Sequence, residues 1–560
     1  MSLPKAFVAI DLGSATTSAA LIGHATGRWR LIAHRSAPAG VDADRLVADL
    51  VRRVRSSDSS LLAELEIDAD ASGGIVRLEA RSSPPRRIAV LAASRKQRLR
   101  LAASARKAGW LVSGASVEES DLLVLARLAL SRDVQALLLG ADNSPGRGER
   151  RRLSDLAALG AAMRCLRPEL MVVLAGGAAI HESIFAASGD TQAAQLLGGS
   201  DAANRRVADA DSTLPAQQPV IVAPDPRRGQ PSGSSLQGVL ESLRGLPDDS
   251  RLGIARSVAS LGHVLGRSVE AIEVGARAGL RVRAWPTGTT GFGPIPPHAC
   301  LTDAAPAPGD LSDDVLDSVA AWSTEAVDRH RLADRLRELD LAPWGDADGD
   351  GATFRLAAAK GAISRLVDGS PELGGSPAPE LLVAVGGILA SSPPAAVALA
   401  LADAVRPPGV TVLACDQARL LGPLGALTDE EERQLLLADL AEDLLLPLGS
   451  LVLPSGIKPG RSAGRLRLVS GTADAEIDLR PGTVRVVDLP PGQSGRISAD
   501  FRYNVRLGSW GRHFEVDVAG GLCGMIVDLR DVPLRLEGPP ETRRAAREAL
   551  LRAAWPELGQ

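Results

Sequence analysis

The sequence predicts an α/β protein of two lobes followed by a C-terminal all-β module. Residues 6–22 form a strand, turn and strand pattern, and a third strand-like run follows at 29–34. From residue 88 onward, short aliphatic runs alternate with longer helical or glycine-rich stretches, which is typical of a parallel sheet. Between 464 and 529, short alternating segments are separated by Pro-Gly and Gly-Gly pairs, which indicates antiparallel β structure.

The length of 560 residues favours several modules, because one domain takes about 150 residues. We expect a first α/β lobe at 1–265, a second at 266–446, and a β-rich module with a terminal helix at 447–560. Glycine, serine, aspartate, alanine and arginine dominate two stretches, 188–218 and 227–250, which predicts loosely ordered connections without chemistry.

Charge and cysteine content indicate which kinds of ligand and partner the chain is suited to bind. The chain has 63 basic and 67 acidic residues, a net charge of −4, so no global field attracts nucleic acid or an anionic membrane. The four cysteines form no CxxC pair, which argues against zinc and favours buried thiols in a reducing compartment. The N-terminus has no apolar run of signal-peptide or membrane-spanning length. We expect a cytoplasmic protein.

The elements of the first lobe follow from periodicity. A tight turn is expected at 24–27, and a helix is predicted where apolar residues share one face, at Leu46, Val47, Leu50, Val51 and Val54. Further strands are predicted at 88–91, 136–139, 171–174 and 220–222. Each of these four ends on small or polar residues, and ligands lie at such carboxyl ends in open α/β sheets.

The second lobe repeats this rhythm. Strands are predicted at 269–274, 281–284, 381–385 and 410–414, with helical segments over 311–339. Ser391 to Pro394 is a helix start signal for a helix that reaches Val405. Thr428 and Glu431 form a capping-box pattern before a helix at 432–445, and a last helix is expected at 541–554.

The first turn has the chemistry of a phosphate site. Gly13 allows backbone N–H groups to approach an anion, while Ser14, Thr16 and Thr17 offer hydroxyl donors. Asp11 is suited to holding a hydrated cation. The alternative is an ordinary hairpin whose turn is polar.

Gly386 and Gly387 follow a predicted strand and precede a predicted helix, which suits contact with a nucleoside. Together with the turn at Asp11, this arrangement resembles the superfamily of actin, the sugar kinases and the seventy-kilodalton heat-shock chaperones. The resemblance implies a two-lobed ATPase fold with the nucleotide between the lobes.

A closer resemblance covers nearly the whole chain. AIDLGSATT, IAVLAAS, ALLLGADN, LLVAVGGILASSPP, VTVLACDQARLLGPLGAL, VVDLPPGQ and GGLCGMIVDLR occur in this order. They resemble the MutL/GlmL family, which is associated with glutamate mutase and is unrelated to mismatch repair. This resemblance implies an actin-fold ATPase that acts as an accessory or reactivating chaperone for an adenosylcobalamin-dependent mutase. Its cofactors would be ATP or ADP with Mg²⁺, and its partner a subunit of the mutase.

The resemblance also assigns roles to residues. Asp11, Gly13, Ser14, Thr16 and Thr17 match the first phosphate loop, and Gly386 with Gly387 the adenosine-side loop. Asp142 and Asn143 match a Gly-rich acidic strand end. The second phosphate loop departs from the family, since residues 272–279 keep Glu273 and Gly275 but contain no hydroxyl. Glu273 would orient a water or a magnesium-bound water, and Arg277 would contact phosphate or block it.

Three hypotheses remain from the sequence. The first is a slow accessory ATPase in which Asp11 positions the metal, through water, and Glu273 is the base. The second is a pseudo-ATPase that keeps the fold for partner binding without turnover, which the altered second loop favours. The third is a small-molecule kinase with Asp142 as the base. We assign no calcium to residues 346–351, because an EF-hand would need Glu where Ala357 stands.

Overall fold

A computed structural model describes most of the chain. The described residues are 4–67, 75–82, 86–108, 110–131, 134–140, 147–176, 220–223, 236–243, 249–276, 279–286, 298–302, 313–323, 328–341, 349–368, 377–460, 462–471, 474–530, 534, 539, 542, 545 and 546. Within this part of the chain, no helix is both long and apolar enough to cross a membrane.

The strands are β1 (Ala6–Leu12), β2 (Thr16–Ala25), β3 (Arg28–Pro38), β4 (Val76–Arg81), β5 (Arg87–Ala92), β6 (Leu111–Ser116), β7 (Val134–Gly140), β8 (Met171–Ala175), β9 (Val220–Ala223), β10 (Val269–Val274), β11 (Gly279–Ala284), β12 (His298–Thr302), β13 (Leu381–Val385), β14 (Gly409–Asp416), β15 (Leu445–Leu453), β16 (Gly464–Ser470), β17 (Asp474–Leu479), β18 (Val484–Val487), β19 (Ser494–Leu507), β20 (Ser509–Ala519) and β21 (Met525–Asp528).

The helices are α1 (Ala43–Ser57), α2 (Ser59–Glu64), α3 (Arg95–Lys107), α4 (Leu122–Leu130), α5 (Arg147–Leu166), α6 (Leu236–Leu243), α7 (Asp249–Leu265), α8 (Asp313–Trp322), α9 (Arg329–Leu341), α10 (Gly349–Asp368), α11 (Gly387–Ala390), α12 (Pro394–Ala404), α13 (Leu421–Leu424) and α14 (Glu430–Leu444).

The chain is a mixed α/β protein that divides into two compact units. Unit 1 contains residues 1–84 and 248–560, and unit 2 contains residues 85–247. The strands predicted at 88–91, 136–139, 171–174 and 220–222 are confirmed as β5, β7, β8 and β9, and all of them belong to unit 2.

Unit 1 contains the same strand arrangement twice. The first sheet has the order β3-β2-β1-β4. Strands β1, β2 and β3 form an antiparallel meander, and β4 pairs with β1 in parallel. In the second sheet, β12, β11 and β10 form another antiparallel meander, and β10 lies parallel to β13. Each meander is followed by a parallel strand on the same edge, so the two turns β1–β2 and β10–β11 occupy equivalent positions.

The second sheet continues through β14, β15, β21 and β18 to a total of eight strands. β15 pairs with both β14 and β21, so the boundary proposed between residues 446 and 447 falls within a strand of this sheet. In the described part of residues 445–528, all regular elements are strands, of which β16, β17, β19 and β20 form a separate antiparallel sheet. The helix expected at 541–554 lies almost wholly outside the described residues.

The central strands β10, β13 and β14 of the second sheet are buried on both faces, as their apolar residues predict. Ile272 and Val274 of β10 join one apolar cluster, with helices α10 and α12, and Val269 and Ala271 join another, with α7 and α14. The first sheet is covered by α1, whose five periodic apolar residues are all buried, as predicted.

Two local predictions need correction. α14 is capped by Asp429, whose carboxylate accepts the N–H of Glu432 at 3.0 Å, and not by Thr428. Carboxylates cap as well as hydroxyls, so the neighbouring aspartate competes successfully. Among the free cysteines, Cys415 and Cys523 are buried as expected, but Cys165 is exposed on α5.

Unit 2 is an all-parallel sheet of order β6-β5-β7-β8-β9. Apolar clusters lie on both faces, one with α4 and α5 and the other with α3 and α6. The order reverses between β5 and β7, the kind of switch point beside which ligands lie in open α/β sheets.

Candidate functional site

A cleft in unit 1 gathers eight of the residues that the sequence singled out. Its empty volume is about 710 Å³, part of it open to solvent. The predicted residues that line it are Asp11, Gly13, Ser14, Thr16, Glu273, Gly275, Gly386 and Gly387. Residues 11–16 and 273–275 lie more than 250 positions apart in sequence, so the fold itself brings the two turns to one cavity.

The first turn closes the hairpin between β1 and β2. Gly13 donates its N–H to the carbonyl of Thr16 at 2.9 Å, and a Cβ on Gly13 would lie 2.7 Å from the same oxygen. Glycine is therefore required by close backbone approach. Asp11, two residues earlier, pairs with Ser18 across the hairpin, and its side chain is 13% exposed. A carboxylate thus stands at the base of the turn, within the cleft.

The second hairpin, of β10 and β11, repeats the strand pairing of the first with an altered sequence. Glu273 is the penultimate residue of β10 as Asp11 is of β1, and each acid is followed by one apolar residue and a glycine. Arg251 of α7 places its Nε 3.6 Å from Oε2 of Glu273, and both side chains are about nine-tenths buried. The carboxylate expected to act as a base is therefore held in an ion pair.

The Gly386-Gly387 pair lies against the end of β10. Gly386 has a φ of +98°, and a Cβ there would lie 2.4 Å from the carbonyl oxygen of Val274. A Cβ on Gly387 would lie 3.1 Å from Oγ1 of Thr16. Because both glycines permit close contact, the start of α11 approaches the first turn and the end of β10 at once.

Arg419 is the cation nearest to the first turn among the contacts described. Its Nη1 donates to Oγ1 of Thr16 and lies 3.8 Å from Oδ2 of Asp11, and its Nη2 donates to Oγ of Ser36 at 2.9 Å. Burial lowers the pKa of this guanidinium, although Asp11 and Asp416 oppose the effect. A buried arginine therefore connects the first turn, β3 and the segment after β14.

Asp416 ends β14 and is fully buried. Its two carboxylate oxygens accept the N–H groups of Leu420 and Leu421, each at 2.9 Å. Burial raises the pKa of Asp416 to about 6, and these N–H groups and Arg419 only partly offset the rise. The carboxylate fixes the start of α13 and so positions the backbone from which Arg419 projects.

Helix α7 is fixed against α13 by direct backbone contact. A Cβ on Gly253 would lie 2.1 Å from the carbonyl oxygen of Gly422, and one on Gly425 would lie 2.0 Å from that of Gly253. The close approach places Ser250 at the cleft, with its Oγ 3.5 Å from Oδ1 of Asp11. The first turn of α7 thereby brings both Ser250 and Arg251 to the site.

The described residues that line the cleft are balanced in charge. Three arginines, Arg251, Arg355 and Arg419, face the three acids Asp11, Glu273 and Asp416. Within the described residues, no cluster of three or more acidic, histidine or cysteine side chains is close enough to hold a metal ion alone. The donor set suits Mg²⁺ only in its usual manner, with waters and ligand phosphates completing the coordination.

Comparisons with known proteins leave the family open. No protein-family model matches the chain, and no curated protein sequence matches it.

The chain is remotely similar to three solved structures. The nucleotide-free structure of an acetone carboxylase, studied for ATP-dependent acetone carboxylation, has a TM-score of 0.27 at 11% identity, covering 85% of this chain and 81% of the other. A Ppx/GppA family member from Aquifex aeolicus has a TM-score of 0.18 at 8% identity, with coverages of 77% and 86%. An ATP-dependent caprolactamase from Pseudomonas jessenii has a TM-score of 0.23 at 11% identity, with coverages of 98% and 84%. At such low scores, the cleft itself must carry any functional argument.

The remaining predicted residues are not among the described residues that line the cleft. Thr17 is 4% exposed within β2 and does not line the cleft. Asp142, Asn143 and Arg277 lie outside the described residues. Gly140, at the end of β7, belongs to unit 2, whereas all described residues that line the cleft belong to unit 1.

Several cleft residues were missed by the sequence analysis. Ser250 lies in a stretch that was expected to carry no chemistry, and this expectation is wrong because α7 starts at Asp249. Arg251, Arg355 and Arg419 carry no motif of their own. A usable signal existed for Arg419 alone, since polar residues directly after a parallel strand, here β14, line sites in α/β folds.

Proposed function

We propose that the cleft in unit 1 binds a nucleoside triphosphate together with a divalent cation. The main support for this proposal is the repeated hairpin. Two acid-x-Gly segments, Asp11-Leu12-Gly13 and Glu273-Val274-Gly275, occupy equivalent positions in the two meanders and line one cavity. An ordinary polar hairpin would not require such a second turn opposite it. The pair of glycines at 386–387 completes the lining.

Each group in the cleft has a role under this proposal. The hydroxyls of Ser14 and Thr16 and the backbone beside Gly13 contact phosphate oxygens. Asp11 orients water on Mg²⁺, which would neutralise phosphate charge when bound. Glu273 orients the attacking water, provided that its ion pair with Arg251 rearranges.

We extend the proposal to a biological role on the resemblance to the MutL/GlmL family. The protein would act as an accessory or reactivating chaperone for an adenosylcobalamin-dependent, glutamate-mutase-like enzyme, in a two-lobed actin-like fold with a C-terminal β module. The ordered motifs from AIDLGSATT to GGLCGMIVDLR support this role. Its test is whether the purified chain with ATP and Mg²⁺ restores activity to an inactivated cobalamin mutase, whereas ATP alone does not.

A second candidate, a nucleotide-binding scaffold without turnover, is favoured by one contact. Arg251 holds Glu273 in a largely buried ion pair, and the described part of the second turn, Gly275 and Ala276, has no hydroxyl to hold a phosphate. A base engaged in this way is a poor proton acceptor, because its charge is already stabilised.

Calorimetric titration with ATP and Mg²⁺ tests the binding proposal. We expect the wild-type protein to bind, and Asp11→Ala to bind at least roughly tenfold more weakly because it loses a contact to the hydrated cation. Asp474→Ala is the matched control, since its carboxylate pairs with Arg467 in an exposed position of β17. The proposal is wrong if millimolar ATP gives no binding to the wild-type protein.

Phosphate release distinguishes the two candidates. An accessory ATPase should release phosphate, and Glu273→Gln should lower the rate by roughly 100-fold or more without weakening ATP binding. A scaffold should bind ATP with no release above that of Glu273→Gln.

A further inference from the structure

We propose that Arg419 is a phosphate-binding residue of the cleft, and that Asp11, Thr16 and Ser36 hold its guanidinium when no phosphate is bound. The inference rests on the proposed nucleotide function and names the side chain that takes up the phosphate charge. No phosphate-loop motif in the sequence contains this residue, which the sequence marks only as a polar residue shortly after the strand predicted at 410–414.

The position of the guanidinium is the first support. It lies beside the hydroxyl of Thr16 in the first turn, and a Cβ on Gly387 would be 3.5 Å from its Nη1. It is therefore placed between the turn proposed for phosphate and the loop proposed for the nucleoside. The residue itself is 6% exposed, so its charge acts in a poorly solvated environment.

Among its described contacts, no carboxylate lies within hydrogen-bond distance of the Arg419 guanidinium, although Asp11 and Asp416 act on its charge from further away. Thr16 and Ser36 supply neutral hydroxyl oxygens, and the Asp11 carboxylate lies 3.8 Å away, beyond hydrogen-bond distance. A phosphate group would provide charged acceptors for a planar fork of N–H donors, which is the geometry that arginine binds best.

The backbone of Arg419 supports a functional position. Its φ is +58°, in the left-handed region that non-glycine residues rarely adopt. Such a conformation is costly and persists when the surroundings enforce it, often at ligand sites. Here, the carboxylate of Asp416 enforces it by accepting the N–H groups of Leu420 and Leu421.

Arg419 also supplies side-chain donors that the described part of the second turn lacks. The described part of that turn has no hydroxyl side chain between Glu273 and Ala276 to donate to a phosphate. A cationic fork from the segment after β14 supplies side-chain donors and positive charge in their place. The cleft thus binds phosphate through arginine as well as through the hydroxyls of the first turn.

Calorimetric titration of Arg419→Met and Arg419→Lys with ATP·Mg²⁺, inorganic pyrophosphate and adenosine tests the inference. We expect Arg419→Met to bind ATP and pyrophosphate roughly 10- to 100-fold more weakly, because it loses charge-assisted hydrogen bonds, and to bind adenosine unchanged. Arg419→Lys keeps the positive charge but not the planar fork of N–H donors, so its affinities for ATP and pyrophosphate should lie between those of the wild-type protein and Arg419→Met. Urea unfolding of each variant establishes that it is folded before titration.

Arg406→Met is the matched control. Arg406 is also buried, also has a positive φ, +46°, and pairs with Asp528 outside the cleft. It should leave all three affinities unchanged.

The outcomes separate the inference from the proposed function. If the wild-type protein binds ATP and Arg419→Met binds it equally well, the inference alone is wrong. If pyrophosphate binds through Arg419 but ATP does not bind, the inference stands and the nucleotide proposal is wrong. If Arg419→Met does not fold, wild-type affinity of Arg419→Lys for pyrophosphate overturns the inference. Binding of neither ligand to the wild-type protein contradicts both.

Discussion

Burial makes the charge on Asp416 costly, even though two backbone N–H groups donate hydrogen bonds to its carboxylate. Its pKa is about 6 in the folded protein, against an ordinary value of 3.8. Since the folded-state pKa is raised, the contribution of this group to stability is present below pH 3.8 and is lost as the pH rises through 6. The shift corresponds to about 3 kcal/mol of unfolding free energy.

We therefore expect the unfolding free energy of Asp416→Asn to increase relative to that of the wild-type protein as the pH rises. Asparagine keeps one carbonyl oxygen, which can accept from only one of the two N–H groups of Leu420 and Leu421, but it carries no charge and so does not titrate. Urea unfolding at pH 4, 5, 6 and 7.5 should show the stability difference moving by about 2.4 kcal/mol toward the variant.

The control for this prediction is Asp478→Asn. The exposed Asp478 has a pKa lowered by hydrogen bonds from Ser462 and Arg480, so its stabilising contribution is lost only as the pH falls below the ordinary range. This variant should show no gain relative to wild type between pH 4 and 7.5. A constant difference between Asp416→Asn and wild type over the same range would contradict the burial argument.

At the scale of single residues, the sequence analysis found the groups that carry a local motif. Asp11, Gly13 and Gly386 stand in short patterns whose chemistry is readable, and each lies in the cleft. Arg419 and Arg251 reach the same cleft only because α13 and α7 pack together through their glycines. Such a meeting depends on tertiary contact, which no spacing along the chain encodes.

Among the elements, the hairpin of β10 and β11 carries an unusual buried charge. Glu270 is fully buried and accepts hydrogen bonds from Arg281 and Arg283, with Arg281 Nε at 2.7 Å from its Oε1. Arg283 in turn donates to the carbonyl of Pro377 at 2.8 Å. Because all three side chains are withdrawn from water, each charge depends on the others.

We expect Glu270→Gln to destabilise the protein by about 3–5 kcal/mol, because two buried guanidinium groups lose their countercharge. Glu476→Gln changes the same residue type in an exposed pair with Arg465 and should cost no more than about 1 kcal/mol. The midpoints of urea unfolding measure both effects. Equal costs for the two variants would show that Glu270 is not stabilised as the structure indicates.

The elements themselves were largely predictable, because each is encoded by local periodicity. The strands at 269–274 and 381–385 and the helix from Pro394 are all confirmed. What periodicity does not encode is the sheet that a strand joins. β15 follows α14 directly and pairs with β14, so a segment assigned to the start of a separate β module belongs to the second sheet.

At the scale of the whole molecule, the division into units 1 and 2 has the same cause. No break in composition separates residues 85–247 from the strands and helix that precede them, so the sequence predicted one continuous lobe at 1–265. The structure joins residues 1–84 to the segment from 248 onward by contact, with β4 packed against α7 and α13. The predicted site residues Asp142 and Asn143 follow β7, a strand of unit 2.

Hydrogen exchange measured with and without ATP·Mg²⁺ should therefore show ligand-dependent protection in unit 1 and none in unit 2. All described lining residues of the cleft belong to unit 1, so nucleotide should slow amide exchange at residues 11–16, 273–276 and 385–388 and around Arg419. Ligand at 100 times its dissociation constant adds about 2.7 kcal/mol to the opening free energy of the structure that binds it. The strands β5 and β7 should show no change, and Asp11→Ala should abolish the protection. Protection at the end of β7 instead would mean that the segment carrying Asp142 takes part in binding, as the family resemblance implies.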